Sequence, residues 1–318
     1  MPAVSVYPAG GSSYMPGGGT GTHERAKRDV VRGWSQSSTR RLTKWLYSVQ
    51  ADQLTGYGYA VTLTMRDTPP NRDVLDRAFR ALMARYDRLG VVRLQWVMEL
   101  QRRGTPHYHL AIYTPEPLPR GGWELVEHWL AVAEPFGAGW GAQKVEPLER
   151  VNGWLRYMSK HASRSAAHYQ RQGMPPGWDK TGRLWGKRGD WPTVDEPMTF
   201  ELSKPAWWRY RRMLRAWRLA DARATYDPKV RAQRVRSARR MLASGDRKLC
   251  EVRGTSEWVP QHVQLALLGL LADQGHTIRQ TFALSPEEAA ELKQARWVAR
   301  ERRRMPADGS APGLSYVP

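Results

Sequence analysis

The sequence RGTPHYHLAI occupies residues 103–112, and it sets one histidine on each side of a tyrosine, directly after a turn rich in Gly and Pro. In a β-strand, side chains two residues apart point to the same face of the sheet. If this stretch is a strand, His107 and His109 present two imidazoles side by side, and Tyr108 points the other way into the core. Neutral imidazoles at this spacing supply two ligands of a metal site.

A third ligand is available in the segment before this strand. Residues 91–100 also have the composition of a strand, and the polar residues 101–105 between the two predict a hairpin loop. Strand pairing would bring Glu99 opposite His107 or His109, and the register stays open from sequence. Two imidazoles and one carboxylate leave free positions on a divalent ion. The alternative is that the two histidines stand on a sheet face by chance, because the spacing alone is a weak signal.

A nucleophile follows in residues 151–161, VNGWLRYMSKH, which we interpret as a helix. Tyr157 and Lys160 are three residues apart and therefore share a helix face. A tyrosine can act as a covalent nucleophile in phosphoryl transfer, and a lysine one turn away can hold the phosphate or offset developing charge. The alternative is a core tyrosine beside a solvated lysine, which is the more common arrangement for such a pair.

The composition points to a polyanionic partner. The 318 residues include 50 Lys and Arg against 30 Asp and Glu, a net charge of +20. This excess predicts binding to nucleic acid or to an acidic membrane surface. The single cysteine, Cys250, excludes an intramolecular disulfide and a thiolate zinc cluster. We find no signal-peptide pattern and no apolar stretch of the roughly 18 residues that span a bilayer, so we expect a cytoplasmic protein without a membrane partner.

The order of predicted elements indicates an α+β fold. Strands alternate with helices roughly as β-α-β-β-α-β-α-β, which predicts an antiparallel β-sheet with helices packed on one side. The predicted strands are 59–65, 91–100, 107–113, 143–146 and 198–202, and the predicted helices are 37–50, 71–89, 123–132 and 149–163.

Composition also divides the chain. We expect a disordered tail over residues 1–35, a catalytic domain over 36–203, a basic α-helical region over 204–304 and a flexible tail over 305–318. A solvated helix face is the usual explanation of a basic run, but tryptophans interleave with this one and favour contact with duplex or origin DNA. The candidate DNA contacts are Arg209, Arg211, Arg212 and Arg215, together with Lys187 and Arg188 in a predicted loop.

These motifs together resemble the HUH endonucleases, in particular the rolling-circle replication initiators with one catalytic tyrosine. The family's first motif is similar to the strand Val61–Thr64, and its second motif, His-hydrophobe-His, matches His107-Tyr108-His109. Glu99, eight residues before the first histidine, resembles the carboxylate ligand of viral and plasmid members. The third motif, Tyr-x-x-Lys, matches Tyr157 to Lys160. The resemblance covers roughly residues 55–205.

The resemblance implies a metal-dependent, site-specific DNA endonuclease and strand transferase. Mg²⁺ or Mn²⁺ would polarise the scissile phosphate of single-stranded origin DNA, and Tyr157 would attack to leave a 5′-phosphotyrosine and a free 3′-OH. The reverse reaction rejoins strands without a nucleotide cofactor. A host polymerase and helicase are expected partners. Tyr169 is a weaker candidate for a second nucleophile, because its distance from Tyr157 does not resemble the close pair of two-tyrosine initiators.

Two alternatives stay open at this stage. A single-tyrosine transposase or a mobilisation relaxase would share the same chemistry. A non-catalytic replicon DNA-binding protein or repressor would use the same fold without it.

Overall fold

The computed structural model describes residues 1–15, 32–148, 158, 168–243, 254–281 and 294. Within this part of the chain, six α-helices and ten strands form two five-stranded antiparallel sheets. The predicted α+β class is confirmed. None of the helices in these ranges is long and apolar enough to cross a membrane.

The first sheet contains the predicted hairpin at its centre. Its strand order is β6-β3-β5-β4-β7, with bounds β3 Tyr57–Leu63, β4 Arg93–Leu100, β5 Pro106–Thr114, β6 Lys144–Pro147 and β7 Trp185–Gly189. The β4–β5 loop closes through a hydrogen bond from the Gly104 amide to the Gln101 carbonyl, 2.9 Å long. Gly104 has a φ of 86°, a left-handed conformation that favours glycine. Because this turn fixes the hairpin, it also fixes which residues of β4 and β5 stand opposite each other.

Helices cover both faces of this sheet rather than one. On one face lie α2 (Arg72–Arg88), which Asn71 caps by accepting a 3.0 Å hydrogen bond from the Val74 amide, and α3 (Trp123–Ala133). On this side Tyr108 stacks on Phe79, with ring centroids 4.6 Å apart. The other face carries α1 (Gln36–Ser48), whose Trp45 ring lies 6.3 Å from that of Trp185 on β7. Helices therefore lie on both faces of the sheet, and the one-sided arrangement that we expected is wrong.

The second sheet joins segments that lie far apart in sequence. Its order is β10-β8-β1-β2-β9, with bounds β1 Ala3–Val6, β2 Gly11–Tyr14, β8 Met198–Leu202, β9 Gly254–Glu257 and β10 Ile278–Thr281. Helices α4 (Lys204–Arg223) and α6 (Gln261–Asp273) pack on this sheet and form a second hydrophobic core with it. In this second core, Trp207 and Leu268 pack with Val4 and Val6. A further helix, α5 (Pro228–Ala243), completes the described helices.

This sheet corrects the predicted division of the chain. Residues 3–14 are not a disordered tail, because Val4 and Val6 alternate with less buried residues and fill the second core. Strand β8 was predicted to end the first sheet, but it pairs with β1 and β10, so the boundary at residue 203 separates strands of one sheet. The region 204–304 is also not purely helical, since it contains β9 and β10. The predicted tail 305–318 lies outside the described residues.

Candidate metal centre

The hairpin register settles which histidine faces Glu99. Glu99 on β4 stands directly opposite His107 on β5, and Val97 stands opposite His109. Directly paired residues of antiparallel strands point to the same face, so Glu99, His107 and His109 share one side of the sheet. One nitrogen or oxygen atom from each of the three lies within 4.8 Å of the others. The three predicted ligands are therefore brought together in one cluster.

The distances within this cluster suit a shared divalent ion. The two Nε2 atoms of His107 and His109 are 2.9 Å apart, and Glu99 Oε2 lies 3.8 Å from His109 Nε2. Ligands about 2.1 Å from an octahedral ion are roughly 3.0 Å apart when adjacent and about 4.2 Å apart when opposite. The distance of 2.9 Å is close to the adjacent separation, and the distance of 3.8 Å lies between the two separations. The donor set itself combines imidazoles, which suit transition ions, with a carboxylate, which suits Mg²⁺ or Mn²⁺. These residues form a candidate metal-binding site.

The outer nitrogen of His109 is held by a residue of β3. Thr62 pairs with His109 across the β3–β5 ladder, and its Oγ1 lies 3.2 Å from His109 Nδ1. If Nδ1 carries the proton and donates it to Thr62, Nε2 keeps its lone pair directed toward Glu99 and His107. Outer partners of this kind orient a ligand and set its tautomer. The predicted first motif, Val61–Thr64, thus borders the histidine strand.

A buried arginine contacts the acidic ligand. Arg171 Nε lies 3.1 Å from Glu99 Oε1, and both side chains have 0% exposure. The guanidinium of Arg171 also lies over the Trp34 ring, with its carbon 4.0 Å from the ring centroid, and Nη1 is 3.4 Å from Thr39 Oγ1. One oxygen of Glu99 therefore faces Arg171 and the other faces His109. Arg171 carried no sequence signal, since 72 residues separate it from Glu99.

Tyr108, the residue between the two histidines, plays no part in this cluster. It is fully buried on the opposite face, among Phe79, Trp96 and Trp129. Burial raises the pKa of its phenol well above the ordinary value, which disfavours the phenolate. Its predicted place in the core is confirmed, and it is unsuited to act as a nucleophile.

The predicted nucleophile and its lysine lie outside the described residues. Tyr157 and Lys160 belong to the segment 149–167, of which only Met158 is described. Met158 is helical and completely buried, and it belongs to the core of the first sheet.

The predicted DNA contacts fall into two places. Lys187 and Arg188 are in strand β7, at the edge of the first sheet, and not in a loop. Lys187 Nζ lies 5.3 Å from the Trp45 ring centroid, and Arg188 forms a 2.8 Å ion pair with Asp87. Both side chains nevertheless remain exposed.

The remaining predicted contacts lie on helix α4, beside the second sheet. Arg209 and Arg212 are exposed there, and Arg215 is half-buried. Arg211 is only 4% exposed and lies over the rings of Trp207 and Trp208, at 4.8 and 5.4 Å from their centroids. Arg211 is therefore covered by these rings, unlike its exposed neighbours, and this burial disfavours a direct contact between Arg211 and DNA. Arg211 lies on the face of α4 that the tryptophans cover, whereas Arg209 and Arg212 lie on its exposed face.

The fold and the cluster define a class: a strongly basic α+β protein with a two-histidine, one-carboxylate candidate metal site at the centre of an antiparallel sheet. Comparison with known proteins narrows this class. The chain belongs to the family of replication-associated proteins ORF2/G2P, whose family model matches residues 58–165. The matched range includes Glu99, His107, His109, Tyr157 and Lys160.

Relatives are similar along most of the chain. An inferred replication protein of Xylella fastidiosa strain 9a5c is 41% identical over 289 residues, which cover 87% of this chain and 99% of the relative. The replication-associated protein G2P of Pseudomonas phage Pf3 is 38% identical over 277 residues, or 85% of this chain and 95% of the relative. A second inferred replication protein, from Xylella fastidiosa strain Temecula1, is 40% identical over 267 residues, or 81% and 99%. No solved structure matches this chain.

Proposed function

We propose that this protein initiates rolling-circle replication as an HUH endonuclease with one catalytic tyrosine. It nicks single-stranded origin DNA and rejoins the strands at termination. The observation that carries the proposal is the cluster of Glu99, His107 and His109, which gathers three metal-ligand atoms within 4.8 Å on one sheet face. Membership of a replication-associated family and a net charge of +20 support DNA as the substrate.

The chemistry assigns a separate role to each residue. Glu99, His107 and His109 hold a divalent ion, Mg²⁺ or Mn²⁺, which when bound supplies a Lewis acid for a phosphate oxygen. The Tyr157 oxygen attacks phosphorus, so that the bond from phosphorus to the tyrosine oxygen forms and the bond to the 3′-oxygen breaks. The phenol proton is transferred to the departing 3′-oxygen, directly or through water. Lys160, three residues on, offsets negative charge on the phosphate.

This exchange of one phosphate ester for another explains the rejoining step. The phosphotyrosine conserves the energy of the broken bond, so a free 3′-OH can attack it and release Tyr157 without a nucleotide cofactor. Until that happens, the 3′-OH is available to a host polymerase, with a host helicase separating the strands. Support for Tyr157 as the nucleophile comes from its Tyr-x-x-Lys motif, which lies within the residues that the replication-associated family model matches.

A covalent adduct tests the nucleophile. We expect wild-type protein with Mn²⁺ and single-stranded origin DNA to form a protein–DNA adduct that survives denaturing electrophoresis. Tyr157→Phe should form none, and the matched control Tyr57→Phe, at an exposed tyrosine at the start of β3, should form the wild-type amount. An absent adduct with wild type would favour a non-catalytic DNA-binding protein, and an undiminished adduct with Tyr157→Phe would exclude Tyr157.

A second experiment tests the metal ligands. His107→Ala combined with His109→Ala should abolish cleavage and lower Mn²⁺ affinity, while salt-dependent DNA binding persists because the basic surface is unchanged. Persistent cleavage by this double variant would show that the cluster does not hold the catalytic ion.

We also propose that the basic helices α4 and α5 bind duplex origin DNA. Helix α5, Pro228–Ala243, contains no acidic residue. The exposed basic side chains of the two helices include Arg209, Arg212, Lys229, Arg231, Arg236 and Arg239. Each phosphate contact that a glutamine substitution removes should lower the slope of log affinity against log salt by about 0.9. Substituting Arg77 and Arg80, which are exposed on α2, supplies a matched control that should leave this slope unchanged.

A further inference from the structure

A short turn carries an exposed aromatic ring at the edge of the candidate metal centre. Tyr169 and Arg171 belong to the same 3-10 turn, Tyr169–Arg171. Arg171 is completely buried, with its Nε 3.1 Å from Glu99 Oε1, whereas Tyr169 is 52% exposed. The Cα atoms of residues two apart are separated by at most about 7 Å. The contact between Arg171 and Glu99 therefore ties the turn that carries the exposed Tyr169 ring to the candidate metal centre.

A cation from the hairpin faces the same ring. Arg102 follows Glu99 by three residues, in the β4–β5 loop, and its side chain is exposed. Its guanidinium carbon lies 5.7 Å from the centroid of the Tyr169 ring. The His168 ring lies 4.7 Å from the Tyr169 ring at an interplanar angle of 33°. The His168 ring is itself oriented by a 3.3 Å hydrogen bond from the Gln170 amide to Nδ1. The hairpin loop that follows Glu99 and the turn that carries Arg171 thus bring together the exposed Arg102 and Tyr169 side chains and the partly exposed His168 ring.

This composition suits an unpaired nucleotide. Aromatic rings bind single-stranded DNA by stacking on the exposed faces of bases, and arginine adds cation–π and phosphate contacts. A base inside a duplex is already stacked on both faces, so such a surface distinguishes single strands from duplexes. Stacking also tolerates every base, because each has a π-face. The surface would therefore bind unpaired strands in preference to duplexes, whatever their base sequence.

We propose that Tyr169, with His168 and Arg102, forms a stacking subsite for an unpaired base within one or two nucleotides of the scissile phosphate. Arg102 contacts a phosphate of the same strand. This inference rests on the proposed function, since it assumes single-stranded DNA at the metal centre. It gives Tyr169 a binding role in place of the nucleophilic role considered from sequence.

Binding of labelled single-stranded oligonucleotide tests the subsite without cleavage. The protein is the full chain with Tyr157→Phe, and fluorescence anisotropy gives the dissociation constant. Tyr169→Ala should weaken binding by about 5- to 150-fold, the range expected for one lost base stack. Tyr169→Phe keeps the ring and should stay within about twofold of the parent. Tyr57→Ala is the matched control, because Tyr57 is 50% exposed, close to the exposure of Tyr169, and lies at the start of β3, so its loss should leave binding unchanged.

A second comparison distinguishes stacking from a general loss of structure. One abasic nucleotide, moved along the oligonucleotide, should weaken parent binding at one position. With the abasic nucleotide at that position, Tyr169→Ala should weaken binding little further, because the base that stacks on the Tyr169 ring is already missing. Duplex affinity should be the same in both proteins.

Three results would overturn the subsite: unchanged single-strand affinity in Tyr169→Ala, an equal loss for duplex, or full additivity with the abasic position. If Tyr169→Ala does not fold, Arg102→Ala provides the same oligonucleotide comparison and should also weaken single-strand binding selectively. The adduct assay is read separately. A missing adduct with normal stacking would refute the nicking chemistry alone, and a normal adduct without stacking would refute the subsite alone.

Discussion

Replacing Arg171 by methionine removes the positive charge that lies 3.1 Å from Glu99, while it keeps a side chain of similar length against Trp34. Glu99 is then a fully buried carboxylate that has lost its arginine partner. Removing one member of a buried ion pair typically costs about 3–5 kcal/mol, because the remaining charge is uncompensated. We expect the free energy of unfolding of Arg171→Met to fall by this amount.

The partner substitution identifies the source of that loss. Glu99→Gln removes the buried charge, so the double variant Glu99→Gln with Arg171→Met should recover much of the stability that Arg171→Met alone loses. Urea unfolding, followed by fluorescence and circular dichroism, measures all four proteins. The interaction energy from this cycle should exceed about 1 kcal/mol, because the residues are in direct contact.

Mn²⁺ provides a second measurement on the same variants. A divalent ion at the Glu99, His107 and His109 cluster would replace the missing positive charge, so Mn²⁺ should stabilise Arg171→Met more than wild type. An ion at 100 times its dissociation constant stabilises the folded state by about 2.7 kcal/mol. The reasoning is refuted if Arg171→Met loses less than about 1 kcal/mol, or if the double variant is no more stable than Arg171→Met.

Three further predictions follow from contacts elsewhere. Thr62→Val should lower Mn²⁺ affinity about 10- to 100-fold by isothermal titration, because it removes the hydroxyl 3.2 Å from His109 Nδ1; unchanged affinity would contradict this role. Deleting residues 1–15 should destabilise the second core, seen as early loss of protection of α4 and α6 amides in hydrogen exchange, whereas uniform protection would argue against it. Arg211→Gln should lower stability with little effect on the salt slope of DNA binding, and Arg212→Gln should do the reverse.

The sequence was sufficient to predict the hairpin and the cluster that it carries. Period-two patterning placed His107 and His109 on one face and Tyr108 on the other, because side-chain direction in a strand follows from backbone geometry alone. The predicted turn at residues 101–105 pairs the strand of Glu99 with the strand of the two histidines, and so places this carboxylate beside them. Only the register needed the structure, which sets Glu99 opposite His107.

Contacts between distant segments escaped prediction for a physical reason. Arg171 reaches Glu99 through packing of a turn that has no periodic pattern of its own, so nothing local marks it. The short strands β1 and β2 bury few residues each and have a composition close to that of a tail. Arg211 and Arg212 are adjacent basic residues in a helix, and only the position of Trp207 and Trp208 decides which of them is covered.

The interleaved second sheet has a consequence for synthesis of the protein on the ribosome. Residues 3–14 emerge first, yet their partners in β8 and β9 lie about 200 and 240 positions later, as the pairs Ala3 with Glu201 and Tyr14 with Gly254 show. The whole first sheet, residues 57–189, is translated between them. At a translation rate of about 5–20 residues per second, the early hairpin waits some ten seconds or more for its neighbours. We expect the sheet that carries the histidines to fold before this hairpin is paired, so that a nascent chain acquires its metal ligands before its second sheet closes.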